Sequence, residues 1–232
     1  SDLIGIKGYL YLQTARSASY PCIPFVELRP KGVPMDGITP VYAPGALRET
    51  CNGIQVMDLR DEMLARREVE LTSDVTAESA TNLIRSLLHL QREDAHAPIT
   101  LFVNSNGGEV QSGLALYDVM QALTCPIRTV CLGMAASMAA LIFISGSQRD
   151  MLPHSRVMIH DPLIGSGIGG SALSVKARAD HLMRTRDITA QVVAEHTGMT
   201  LDEVFELTST DTYFEAQEAV DAHLADRIIT AL

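Results

Sequence analysis

From about residue 57 onward, short β-branched apolar runs alternate with longer segments of helical period. No other feature of the chain limits its fold as much. Val69-Glu70-Leu71, Ile99 to Val103, Ile127 to Leu132 and Arg156 to Ile159 read as strands. Between them, Thr76 to Gln91 places Ala80, Leu83, Ile84, Leu87, Leu88 and Leu90 at a spacing near that of a helix. Ser112 to Leu123 and Ala135 to Ser145 are predicted helices, the second following a break at Gly133. Ala172 to His196 predicts one long helix stopped by Gly198, with short helices at Thr200 to Leu207 and Ala216 to Ala222. Strands apolar on both faces and separated by helices predict a mostly parallel sheet with right-handed crossovers, an α/β fold.

Residues 1–56 follow a different pattern. Pro21, Pro24, Pro30, Pro34, Pro40 and Pro44 are interleaved with Gly32, Gly37, Gly45 and Gly53. Such punctuation predicts loops and short strands, with Tyr9 to Leu12 and Ile23 to Leu28 as edge-strand candidates. The chain therefore divides into a Pro/Gly-rich N-terminal extension, 1–56, and a domain, 57–232.

Composition narrows the partners. A net charge of -10 and a pI near 5.1 argue against a nucleic-acid surface and against docking on an anionic membrane. Cys22, Cys51, Cys125 and Cys131 form no CxxC pair and no zinc-finger spacing. Cys131 lies in an apolar run, which predicts a buried thiol. Sparse cysteines fit a reducing cytoplasm. Ser1 to Leu12 lacks the features of a signal peptide, and the apolar stretch Met134 to Ile144 is far short of the roughly 20 residues that span a bilayer. A soluble, cytoplasmic protein is expected.

Four places carry possible chemistry. In Gly133-Met134-Ala135-Ala136-Ser137-Met138, a strand enters glycine and small residues open a helix, which sets Ser137 near free backbone N–H groups. The turn Asn104-Ser105-Asn106-Gly107-Gly108 lets backbone approach a ligand, with the Gly108 N–H a candidate donor. His160 ends the run Val157-Met158-Ile159, the position of a general base at a sheet edge. Asp211 sits in the polar run Thr208 to Thr212. Taken singly, Ser137 also fits a small core residue, His160 a structural histidine and Asp211 a cap or turn. Together they supply Ser, His and Asp, whose relation only geometry establishes.

Residues from about 57 to 232 closely resemble the proteolytic subunits of the Clp proteases. The matching segments are Phe102 to Gly108, Leu116-Tyr117-Asp118-Val119-Met120-Gln121, Gly133 to Met138, Leu152 to His160, Ala194-Glu195-His196-Thr197-Gly198 and Glu218 through Asp226. The resemblance implies a crotonase-like α/β fold, a wedge-shaped head with a protruding handle helix at 172–196. It implies a serine endopeptidase acting on unfolded polypeptides, with Ser137 as nucleophile, His160 as base and Asp211 as its support. Gly108 and Met138 would donate to the oxyanion. Neither metal nor organic cofactor is implied. The implied partners are copies of the same chain, in a heptameric ring or double ring, and an AAA+ Clp ATPase. The 1–56 extension would then be an axial cap or gate.

Several positions depart from the family pattern. Asn106 replaces the usual Pro of the glycine turn, and Asp161 replaces Gln after the base, where a carboxylate facing the ring would raise the histidine's affinity for a proton. Thr210 stands where an Arg commonly pairs across the rings. Ala122 and Asp150 stand near positions where aromatics usually form the ATPase docking pocket, so docking is expected to be weakened or differently specified. Two other functions compete with the peptidase. One is a non-catalytic structural subunit of a mixed ring; the other is an acyl-CoA enzyme on the same fold, which also uses paired N–H donors.

Overall fold

A computed structural model of the protein describes residues 45–50, 53–165 and 169–232. The strand candidates at 9–12 and 23–28, Cys22, Cys51, the Pro-rich part of the extension and residues 166–168 lie outside those residues. By its internal contacts the chain divides between Leu59 and Arg60. The described part of the first unit is an antiparallel hairpin, β1 (Gly45–Thr50) and β2 (Gly53–Asp58), pairing Gly45 with Asp58 and Thr50 with Gly53. In the stretch expected to hold loops and short strands, Gly45 and Gly53 are the first residues of the two hairpin strands.

The chain continues as α1 (Leu59–Ala65), β3 (Glu68–Leu71), α2 (Ala77–Glu93), β4 (Ile99–Ser105), α3 (Val110–Ala122), β5 (Ile127–Ala136) and α4 (Met138–Ile144). Then come β6 (Gln148–Met151), β7 (Arg156–Ile159), α5 (Ala172–Thr197), α6 (Leu201–Thr208), β8 (Thr212–Glu215), α7 (Ala216–Asp221) and β9 (Arg227–Ile228). Seven strands form one sheet of order β3-β4-β5-β6-β9, with β7 on β5 and β8 on β7. All pairs are parallel except β7–β8.

Local chemistry sets the helix ends. Thr76 and Ser79 form a reciprocal capping box at α2, and Thr200 with Glu203 does the same at α6. Gly198 closes α5 in the left-handed region, φ 78°. Arg67 donates to the carbonyls of Leu90, Asp94, Ala97 and Pro98, tying the end of α2 to the start of β4.

β7 buries three successive residues, Val157, Met158 and Ile159, but at β3 and β4 the core lies on one face of the sheet. Val69, Leu71, Leu101, Val103 and Cys131 are buried there against Leu83, Leu87, Leu116 and all seven residues of α4. Burying each large apolar side chain contributes about 1.5–3 kcal/mol, so α4 is the main anchor of the unit. The opposite positions, Glu68, Glu70, Thr100, Phe102, Arg128 and Gln148, are half-buried. The expectation of strands apolar on both faces is therefore corrected for β3 and β4, which alternate. β4 still reads as a continuous apolar run because Phe102 sits on its more open face.

Asp150 on that face is fully buried, with bonds from Arg128 (2.7 Å), Gln148 (2.9 Å) and Arg227 (2.8 Å). Burial pushes its carboxyl up, but the hydrogen bonds from Arg227, Arg128 and Gln148 together hold it below the ordinary aspartate value. A depressed carboxylate stabilises the fold above its unfolded pKa, and that contribution is lost as pH falls through the folded value, below about pH 4. Asp150→Asn should lower the thermal midpoint at neutral pH, towards the low end of the about 3–5 kcal/mol of a broken buried pair. The same variant should show a flatter decline in thermal midpoint on acidification, measured by calorimetry. An unchanged neutral midpoint would remove Asp150 from the stabilising groups.

Candidate active site

Three adjacent strand ends build the site. Ala136 ends β5 opposite Met158 of β7, and the Ser137 N–H donates to the Met158 carbonyl at 2.8 Å. Ile159 ends β7 opposite Thr212, the first residue of β8. His160 follows the one and Asp211 precedes the other, so the backbone ladder alone brings them face to face. Gly133 does not break the strand, contrary to the sequence expectation. β5 runs through to Ala136 because its register with β4 shifts: Val103 pairs with Cys131 but Ser105 with Ala135. Asn104 fills this bulge, its Oδ1 accepting from the Met134 N–H at 3.0 Å. A Cβ at Gly133 would lie 2.7 Å from that oxygen, which is why the position is glycine.

Ser137 caps α4, its carbonyl accepting from the Ala140 N–H at 3.0 Å. Its φ is 53° and ψ is -122°, a conformation that costs about 1–3 kcal/mol for a non-glycine residue. The strain turns the hydroxyl out of the strand-to-helix turn. Ser137 Oγ lies 2.8 Å from His160 Nε2, and His160 Nδ1 lies 3.1 Å from Asp211 Oδ1. These partners select the tautomer with the proton on Nδ1 donated to Asp211 and Nε2 accepting from the serine. His160 is 16% exposed at its side chain, whereas Asp211 is 60% exposed. The serine–histidine contact is thus shielded and the carboxylate is exposed.

The glycine turn packs against this arrangement. Gly107 has φ 91°, and a Cβ there would sit 2.5 Å from the Ala136 carbonyl oxygen, 2.9 Å from the Met138 nitrogen and 2.9 Å from the Ser137 Cβ. Gly108 bridges to Val75: the Val75 N–H donates to Gly107 O (2.8 Å) and the Glu109 N–H to Val75 O (2.7 Å). Neither bond uses the Gly108 N–H. Met138 is the first residue of α4, so its N–H has no intrahelical acceptor either. The Ser137 N–H, by contrast, is spent on Met158. Ser105 braces the turn by donating to Ser73 O (2.6 Å) and accepting from the Gly107 N–H (3.1 Å). Sequence reasoning singled out Gly108 as a donor and missed the steric constraint that Gly107 meets beside Ser137. The signal was present in the paired glycines, but what Gly107 meets is 30 residues away.

Asp161 does not face the imidazole. Its Oδ2 accepts from Arg186 Nε at 2.6 Å and its Oδ1 from Thr208 Oγ1 at 2.6 Å. The conditional expectation of a second carboxylate on the ring is thereby answered by other partners. Cys131, as expected, is fully buried; burial pushes its thiol up to about 11, which leaves it protonated and inert.

Two comparisons bear on the arrangement. Residues 51–231 match the family model described as Clp protease. The chain belongs to the Clp protease family. It is 39% identical over 175 residues to the ATP-dependent Clp protease proteolytic subunit 2 of Corynebacterium glutamicum, an alignment covering 75% of this chain and 86% of that one. The Clp family is one of serine-type peptidases, in keeping with a serine held by a histidine at the end of a strand. Among the described residues no helix is long and apolar enough to cross a membrane.

Gly107→Ala should abolish peptidase activity, because the added methyl meets two backbone atoms that cannot move without displacing Ser137. Steady-state hydrolysis of a fluorogenic peptide measures this. Activity within a few-fold of the parent would show that the turn tolerates a side chain.

Proposed function

We propose that the chain is the proteolytic subunit of an ATP-dependent Clp protease. In this role it hydrolyses peptide bonds of unfolded polypeptides inside a ring assembled from its own copies, in a cytoplasmic setting. The observation that carries the proposal is the continuous relay from Ser137 Oγ through His160 to Asp211. His160 takes the serine proton as Oγ attacks the scissile carbonyl, and Asp211 supports the imidazolium that results. The N–H groups of Gly108 and Met138 are the donors left for the oxyanion, each worth about 3 kcal/mol in the transition state. His160 then returns the proton to the leaving amine, and water releases the acyl-enzyme by the reverse relay. An intact relay is what a purely structural subunit would not need, and the serine is what an acyl-CoA enzyme relying on N–H donors alone would not need.

A fluorophosphonate should label Ser137 in the assembled protein, and Ser137→Ala should lose both the label and peptide hydrolysis, the latter by at least about 10^4-fold. Absence of labelling in an intact ring would point to the structural subunit instead.

We infer that docking to a typical Clp ATPase is weakened or differently specified. An apolar docking pocket needs apolar side chains, whereas buried Asp150 holds the partly exposed guanidinium groups of Arg128 and Arg227. A pull-down with a Clp ATPase whose docking loop is apolar should recover little of this protein. Tight recovery would overturn that assignment.

A further inference from the structure

Asp161 lies next to the base, and three bonds from it reach two other elements, α5 and α6. Its N–H donates to the Thr208 carbonyl at 2.8 Å, and its Oδ1 accepts from the Thr208 hydroxyl at 2.6 Å. Its Oδ2 accepts from Arg186 Nε of α5 at 2.6 Å. The Arg186 guanidinium also lies over the Phe205 ring of α6, 3.9 Å from its centroid. Thr208 is buried at the end of α6, three residues before Asp211. Both oxygens of Asp161 are therefore committed to holding the Asp211 loop and the long helix, on the side of β7 where the His160–Asp211 contact is made.

We propose that Asp161, Arg186 and Thr208 are positioning residues that set the distance between His160 and Asp211. The inference rests on the catalytic reading of Ser137 above. Asp211 itself is exposed, and His160 is the partner that its own side chain reaches. Two ties flank that contact. One is the backbone pair Ile159–Thr212, which any sequence can form. The other is the side-chain clamp at Asp161, which depends on a carboxylate: an amide offers one acceptor oxygen, whereas Asp161 uses two. Arg186 fits as the donor because its planar fork can bond a carboxylate and lie on an aromatic ring at once, which lysine cannot.

The position of Arg186 in α5 adds a consequence. The residues of α5 that are buried begin only at Ala190, and Leu173, Met183 and Ile188 are exposed. Arg186 is thus bonded to the end of β7 one turn before the helix enters the core. A displacement of the exposed part of α5 reaches the His160–Asp211 pair first through this ion pair.

The test compares Asp161→Asn, Arg186→Gln, Thr208→Val and the double variant Asp161→Asn/Arg186→Gln in the full-length assembled protein. Hydrolysis of a short fluorogenic peptide and the rate of fluorophosphonate labelling at Ser137 are read alongside oligomeric mass and near-UV circular dichroism. Misplacement by about 1 Å costs up to about 10^2-fold, so each single variant is expected to lower kcat about tenfold or more with KM unchanged. Labelling should slow by the same factor. The double variant should be no worse than the worse single one, and Arg186→Lys should recover part of the loss. Unchanged kcat in both charge variants overturns the proposal, as does a fall in kcat matched by an equal loss of folded or assembled protein. Additive losses in the double variant would show that the two residues act separately. If Ser137 of the unmodified protein takes no label, the catalytic reading fails and the clamp falls with it; if it labels normally while the variants do too, only the clamp fails.

Discussion

Strand β5 is the constraint on which the rest depends. It spans ten residues against four in each of its neighbours β6 and β7, and serves both along the same edge. Arg128 to Cys131 pair with β6; Met134 to Ala136 pair with β7. The change of partner requires a bend, and the shift of register against β4 supplies it. The amide of Asn104 satisfies the backbone that the bend leaves unpaired. Without this bend β7 would have no place on the sheet, and neither His160 nor Asp211 would lie near Ser137.

Beyond the bend the site inherits its precision from the ladder. Hydrogen bonds at Met158, Ile159 and Thr212 are backbone contacts that do not depend on side chains. Only the last links, the strained Ser137 and the glycines facing it, call for particular residues. Strain of about 1–3 kcal/mol at Ser137 is sustained because α4 behind it is wholly buried. A helix so anchored cannot rotate to relax one residue at its start.

Much of the fold was legible. Periodicity and caps located α2, α5, α6 and Gly198 to within a residue or two, since helix ends are set by neighbours in sequence. The signals that failed were of other kinds. Strands β6 and β8, four residues each, hold Gln148-Arg149-Asp150 and Thr212-Tyr213 and carry no apolar run. They are strands because partners on β5 and β7 pair with them. Helix α1 and the β1–β2 hairpin lie where glycine and charge obscure periodicity. Of the candidate site, Ser137, His160, Asp211, Gly108 and Met138 were all named in advance, and the structure brings Ser137, His160 and Asp211 into one relay.

What the sequence by itself determined is the alternation of elements, the α/β class, the segments that match the Clp proteases and the residues able to do the chemistry. These follow from local period, local caps and residue type. Tertiary structure alone decided where charged groups point. Asp161 turns to Arg186 and Thr208 instead of the imidazole, and Asp150 is buried between two arginines. A carboxylate's partner is set by what lies within about 3 Å of it, and Arg186, Thr208, Arg128 and Arg227 are 22 to 77 residues from the carboxylates they bond.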